Sequence, residues 1–155
     1  MRTGLIACFS LGLVAAGLSL SACATPIAPP AVVAPSPAMA ALDAAARDYV
    51  ALTLEIGERE PGYVDAYYGP ADWAEAAKAN PRTVVQLSAA AAALSARLNA
   101  TPTDGLDRQG VQRRAYLLAH VSAASARLRM LAGEKMGFAD EAEALFGVRP
   151  ELKPL

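Results

Sequence analysis

The chain is poor in the residues that cross-link proteins or hold metal ions. Its only two cysteines, Cys8 and Cys23, lie in the first 23 residues, which excludes a disulfide scaffold or a cysteine-based metal site from the rest of the chain. Its only histidine, His120, has no second histidine with which to share a metal. We therefore expect no metal site and no cofactor.

The sequence motifs of the common enzyme classes are also missing. The chain contains no HExxH metal motif, no nucleophile elbow, no P-loop and no dinucleotide-binding fingerprint. The carboxylates Asp140, Glu141 and Glu143 fall in the first turns of a predicted helix, where the helix dipole favours negative charge. No catalytic residue is assigned, and the sequence leaves open whether the protein is an enzyme.

Neither an excess of positive charge nor a strand pattern is present. The chain carries 14 Lys and Arg residues against 15 Asp and Glu residues, a net charge of −1. A nucleic-acid-binding protein would show a basic excess on at least one element, so we expect no nucleic-acid partner. No segment alternates apolar and polar residues in the way that predicts a half-buried strand, which favours an all-α fold.

The first feature of the chain is an apolar leader segment. Arg2 precedes an uncharged segment, residues 5–20, which ends in the sequence Leu20-Ser21-Ala22-Cys23. This is the form of a bacterial lipobox, so residues 1–22 are predicted to be a signal peptide that is removed before Cys23 is acylated, palmitate being one of the chains. A plain secretory signal and an uncleaved anchor are the alternatives, but the segment is short for a membrane span.

The predicted mature chain begins with a lipid anchor and a tether. Acylated Cys23 would bind the lipid bilayer, and the proline-rich segment 24–37 favours polyproline II structure. At about 3.1 Å per residue, this tether spans roughly 40 Å. In enterobacteria, an Asp directly after the acylated cysteine retains a lipoprotein in the inner membrane. The residue at that position here is Ala24, so the periplasmic face of the outer membrane is the favoured location in the cell envelope. We therefore divide the chain into residues 1–22, 23–37 and a helical domain, 38–155.

Helical periodicity runs through the predicted domain. Apolar residues recur every three to four positions in three long segments, which predicts an antiparallel bundle of four to five helices joined by short loops. Asn80 and Asp104 are the predicted N-caps of the third and fourth helices. Leu145 and Phe146 of the last helix are expected to face inward. The predicted buried stripes are Leu42, Ala45, Tyr49, Leu52 and Ile56; Val84, Leu87, Ala91, Leu94 and Leu98; and Leu117, Val121, Ala124, Leu128 and Leu131.

Two features are candidates for a binding role. The segment 62–73 holds three of the five tyrosines and the only tryptophan, and it is interpreted either as a loop that closes one end of the bundle or as an aromatic ligand surface. On the fourth helix, Arg113, His120 and Arg127 recur every seven residues, and we expect them on a solvated face. The candidate ligand surface consists of Tyr63, Tyr67, Tyr68, Trp73 and His120.

Three stretches carry a family resemblance. Residues 49–72 (YVALTLEIGEREPGYVDAYYGPAD), 113–134 (RRAYLLAHVSAASARLRMLAGE) and 136–148 (MGFADEAEALFGV) resemble the N-terminal helical region of bacterial proteins related to the helical HExxH-type zinc metallopeptidases, a carboxypeptidase- or dipeptidase-like group. In that family the catalytic helix follows this region. The resemblance therefore implies a non-catalytic part and assigns no zinc ligand to this chain.

These observations lead to three hypotheses for function. The first is a membrane-anchored lipoprotein corresponding to the N-terminal portion of a metallohydrolase, whose C-terminal domain is missing from the chain. The second is a self-standing helical lipoprotein of the envelope that binds or scaffolds a protein partner. The third is an enzyme that uses the tyrosine cluster, His120 and the arginine stripe.

Overall fold

The fold is all-helical, as predicted. A computed structural model describes residues 34–153; the predicted signal peptide, Cys23 and most of the tether lie outside the described residues. Five helices and no strands occur in residues 34–153. The helices are α1 (Pro37–Gly57), α2 (Ala71–Ala79), α3 (Val84–Ala100), α4 (Arg108–Leu131) and α5 (Phe138–Phe146).

The core forms where the predicted apolar stripes of α1, α3 and α4 meet. Most members of the three stripes are buried, because residues three and four apart share one face of a helix. Tyr49, Val84 and Leu131 are only partly buried and pack against the edge of the core. The fully buried members include Leu42, Leu52, Ile56, Leu87, Leu94, Leu98, Val121 and Leu128.

Side-chain contacts define an up-down-up arrangement of the three long helices. Arg97, late in α3, pairs with Asp48 at the middle of α1. Arg82, just before α3, pairs with Glu55 near the end of α1, so these two helices are antiparallel. Near the start of α4, Arg114 donates from Nε to the carbonyl of Leu98 at the end of α3 at 2.7 Å. Consequently α4 is antiparallel to α3 and runs parallel to α1.

The two short helices lie outside this three-helix core. Helix α2 packs on α1 and buries Ala77, while α5 packs on α4 without burying a single residue. Among the described helices, α2 and α3 make no contact with each other, so a groove remains between them over α1. None of the described helices combines the length and the apolar character needed to cross a bilayer.

Both predicted N-caps are wrong by three residues. Helix α3 is capped by Thr83, whose side chain accepts from the Gln86 N–H while the Gln86 side chain accepts from the Thr83 N–H, a reciprocal capping box. Helix α4 is capped by Asp107 rather than Asp104, because Gly105 takes a φ of 84° that no helix allows. The sequence pattern placed the helices correctly but began two of them one turn too early.

Ser36 connects the start of α1 to the loop before α4. Its Oγ accepts from the Met39 N–H at 3.2 Å as the N-cap of α1, and it donates to the Gly105 carbonyl at 2.6 Å. This residue lies just before the predicted domain boundary at residue 38, so the folded part begins slightly earlier than expected.

Ser36→Ala is expected to lower the free energy of unfolding by about 1–2 kcal/mol, since it removes a helix cap and a hydrogen bond together. Urea unfolding followed by circular dichroism checks this value. Ser95→Ala, an internal α3 substitution of a partly buried serine that caps no helix, is the control and should cost clearly less.

Candidate functional site: the aromatic cluster and cavity around His120

His120 lies at the centre of a cluster of aromatic side chains between α1 and α4. The Tyr116 ring stacks on the imidazole with a centroid distance of 3.8 Å and an interplanar angle of 27°. The Tyr49 ring meets the imidazole edge at 6.2 Å and 82°. Tyr116 is one helical turn before His120 on α4, whereas Tyr49 comes from α1, so only the packing of the two helices completes the cluster.

A hydrogen bond fixes the orientation of the imidazole. Nδ1 of His120 lies 2.9 Å from the Tyr116 carbonyl oxygen, which only accepts, so Nδ1 carries the proton in this contact. In the neutral ring, Nε2 is then the nitrogen with a free lone pair.

The arginines of the α4 stripe are paired with carboxylates, although Arg113 is exposed as expected of a solvated face. Arg113 pairs with Asp43 of α1, and Arg127 makes a two-pronged contact with Glu60, with Nε to Oε2 at 2.7 Å. Because α1 and α4 are parallel, Asp43 early in α1 and Glu60 just after its end meet two arginines that are fourteen positions apart on α4. The stripe therefore holds α1 against α4 on both sides of His120.

A cavity of about 340 Å³ adjoins His120 between α4 and α5. The α4 wall carries His120 and Ser122, and the α5 wall carries Glu143 and Phe146. Glu143 is held by Arg149, which donates to it at 2.8 Å and to Asp140 at 2.7 Å. These two hydrogen bonds, the first of them the larger cause, raise the pKa of Arg149. The lining residues are Ala119, His120, Ser122, Ala123, Glu143, Ala144, Leu145, Phe146 and Gly147.

The chemistry of this cavity favours binding. A backbone carbonyl orients the imidazole, and Glu143 is occupied by Arg149, so the described residues supply no carboxylate–imidazole–hydroxyl relay. What the cavity offers is one imidazole nitrogen, one hydroxyl and an aromatic wall. Such a set positions a ligand or a partner side chain through a few polar contacts on an apolar surface.

The structure divides the five candidate ligand-surface residues among three places. Tyr63 is half-buried, packs against the core and lies close to Tyr49, which in turn contacts His120. Tyr67 donates its hydroxyl to the Pro70 carbonyl at 3.2 Å. The other two are separate: Tyr68 is 96% exposed in the loop, and Trp73 of α2 faces the groove over α1. Within the aromatic segment, Tyr63 therefore packs against the core, while the ligand-surface interpretation of the other residues stays a prediction.

Sequence reasoning missed several members of the site. Tyr116 carried a local signal, because it lies four residues before His120 on a predicted helix. Tyr49 was placed in the core stripe of α1. It lies 71 residues before His120 in the sequence, so the contact between the two depends on how α1 packs against α4. Glu143 was explained as a helix-dipole residue, and its place in the cavity likewise depends on tertiary packing.

The Phe146 prediction was also wrong, and the correction matters for function. Its side chain is 78% exposed, while Leu145 beside it is partly buried against α4. A nine-residue helix packed on one neighbour covers only a narrow stripe, and Phe146 lies beside that stripe. Together with His120, which lines the same cavity, and Tyr116, which stacks on His120, it forms a partly exposed area that we call the His120 surface; Tyr116 is 56% exposed.

Burial changes the acidity of the tyrosines behind His120. Burial, and then the nearby Tyr63 and Tyr116 hydroxyls, raise the pKa of Tyr49 to about 12. Burial also raises the pKa of Tyr63. Because the neutral phenol is favoured in the fold, the associated stability is complete below pH 10, the ordinary value, and is lost as the pH rises toward 12.

Tyr49→Phe is expected to remove a late step from the alkaline titration of the folded protein, followed by the ultraviolet absorbance of tyrosinate. Tyr68→Phe, at a fully exposed position, should leave that late step intact. A late step of undiminished amplitude in Tyr49→Phe would contradict the assignment, because Tyr63, whose pKa is also raised, accounts for only part of that step.

No group of three or more potential metal ligands comes together in the described part of the chain.

The chain matches no protein-family model, no curated protein and no solved structure. The relationship to the helical HExxH-type metallopeptidases therefore stays a prediction from the sequence.

Proposed function

We propose that this protein is a lipid-anchored helical module of the bacterial cell envelope that binds a protein partner through the His120 surface. In this proposal the domain does no chemistry by itself. The partner is the catalytic part of a metallohydrolase, as the family resemblance implies. A free-standing scaffold that binds another envelope protein is the alternative.

The observation that carries the proposal is the exposure of large apolar side chains beside the His120 cavity. Phe146 is 78% exposed at the rim of a 340 Å³ cavity that His120 also lines, and Tyr116, which stacks on His120, is 56% exposed. Aromatic side chains that border a pocket are the usual anchors of protein interfaces. The surface is continuous, because Tyr116 stacks on His120, and His120, Phe146 and Gly147 line one cavity.

Charge around the surface indicates what the partner's rim should carry. Residues 138–153 contain four carboxylates and two cations, and both Asp140 and Glu143 share the single cation Arg149. A partner with an apolar centre and basic residues at the rim would complement this segment.

The lipobox supports the envelope part of the proposal. Acylated Cys23 and the proline-rich tether would hold the domain away from the membrane, on the periplasmic face of the outer membrane. Three acyl chains give stable anchoring, since each buried CH₂ contributes about 0.8 kcal/mol.

Two matched substitutions test the docking surface. Phe146 and Val85 are equally exposed at 78%, but Val85 lies at the start of α3, outside the His120 surface. Phe146→Asp should convert the detergent-solubilised protein from a larger complex to the isolated chain on a native gel, and Val85→Asp should leave the complex intact. A wild-type protein that migrates alone, or a complex that survives Phe146→Asp, would count against the proposal.

A further inference from the structure

A second surface, on the other side of α1, has a different chemical character. Helices α2 and α3 flank α1 without touching each other, and two adjoining cavities of about 290 Å³ each lie between them. Asp48 and Ala51 of α1 line both cavities, so the two form one groove, which we call the α2/α3 groove. It shares no lining residue with the His120 cavity.

One wall of the groove carries an aromatic side chain, and small residues line the space beside it. Alanines line both the floor and the α2 wall, with Ala51 on α1 and Ala76 and Ala77 on α2, and their short side chains leave room above α1. Trp73, the only tryptophan of the chain, is half-buried on the α2 wall. An indole ring offers a flat apolar face together with a hydrogen-bond donor, and this suits a ligand that is itself flat on one side and polar at its edges.

One cation on the groove is not used by the fold. Arg47 is exposed at the groove, and within residues 34–153 its guanidinium has no carboxylate within 4.0 Å. An unpaired guanidinium beside a tryptophan favours an anion, above all a planar carboxylate that it can hold with two hydrogen bonds.

The remaining charged groups are paired but keep spare hydrogen-bonding capacity. Arg97 donates one hydrogen bond to Asp48 and has four further N–H groups, and both side chains of this pair are about half exposed. Arg82 and Glu55 form a second pair along the same groove, with Nε to Oε2 at 2.7 Å. Such neutralised pairs bind hydroxyl groups well, because they offer donors and acceptors side by side without demanding another charge.

We propose that the α2/α3 groove binds an acidic saccharide, whose ring stacks on Trp73 and whose carboxylate pairs with Arg47. The ring hydroxyls would lie against the Asp48–Arg97 and Glu55–Arg82 pairs. An open, shallow groove with alanine walls buries little hydrocarbon, so a purely apolar ligand would gain little there. The chemistry is shared by glycan of the cell wall, in which muramic acid carries a carboxylate, and by free uronic acids.

The test uses Trp73 as its own reporter, because it is the only tryptophan. The full-length protein, expressed in a bacterium and purified in detergent, is titrated with N-acetylmuramic acid, with glucuronate and with N-acetylglucosamine, which lacks the carboxylate. A saturable change in tryptophan fluorescence with at least one acid, and none with the neutral sugar at the same concentrations, is the expected result. The acid that binds more tightly distinguishes wall glycan from a uronic acid.

The role of Arg47 is tested by substitution. Arg47→Gln should weaken binding of that acid at least tenfold, measured by calorimetry as well as fluorescence. Arg108→Gln is the matched control, because Arg108 is exposed and equally unpaired within the described residues but lies at the start of α4. Equal binding of neutral and acidic sugars, no fluorescence change with either acid, or full affinity in Arg47→Gln would each overturn the proposal. Unchanged helical circular dichroism confirms that each variant is folded.

Discussion

Cys23→Ser is expected to abolish acylation of the protein completely. Lipid attachment requires the sulfur nucleophile, and a serine hydroxyl does not ionise near neutral pH to replace it. Cells grown with an alkyne-bearing palmitate should label the wild-type protein, and labelling of Cys23→Ser should fall to background. Cys23 lies outside the described residues, so this prediction follows from the lipobox alone.

Cys8→Ser provides a matched control, since Cys8 is the only other cysteine and lies within the predicted signal peptide. That variant should be labelled like the wild type and should yield a mature chain of the same mass. Label retained in Cys23→Ser, or lost in Cys8→Ser, would show that the lipobox interpretation is wrong.

Leu128→Ala is expected to lower the free energy of unfolding by about 3 kcal/mol, within the usual 2–5 kcal/mol for such a substitution. Leu128 is fully buried in the core shared by α1, α3 and α4. Removing its branched end loses apolar burial and leaves a cavity that three packed helices close only in part. Domains of this size have about 5–15 kcal/mol of stability in total, so the loss should be plain in a urea titration.

The control for this prediction is Leu152→Ala, a chemically identical change at a leucine that is 67% exposed. It should alter the free energy of unfolding by no more than about 0.5 kcal/mol. Equal effects at the two positions would contradict the assignment of the core.

Local periodicity was enough to predict the core. The buried stripes of α3 and α4 hold Leu94, Leu98, Val121 and Leu128 because residues three or four apart on a helix share a face, whatever the rest of the chain does. The cap at Thr83 was also readable, since a threonine followed three residues later by glutamine is a capping-box signal. The neighbouring Asn80-Pro81 gave a competing signal that the fold did not use.

Contacts between distant segments could not be predicted in this way. The pairing of Arg113 with Asp43 spans 70 positions, and it depends on α1 and α4 running parallel. A helical pattern shows which residues share a face, but it does not show which face a neighbour covers. For that reason Phe146 was expected inside and lies outside, and the carboxylate partners of the arginine stripe were not predicted.

The central claim is that the His120 surface docks a protein partner, and in-cell photo-crosslinking tests it most directly. A photoreactive amino acid is placed at position 146 in one strain and at the equally exposed position 85 in another. We predict one crosslinked product of defined mass from position 146, identified by mass spectrometry as a different envelope protein, and no such product from position 85. The same products from both positions, or only crosslinks between copies of this chain, would contradict the claim.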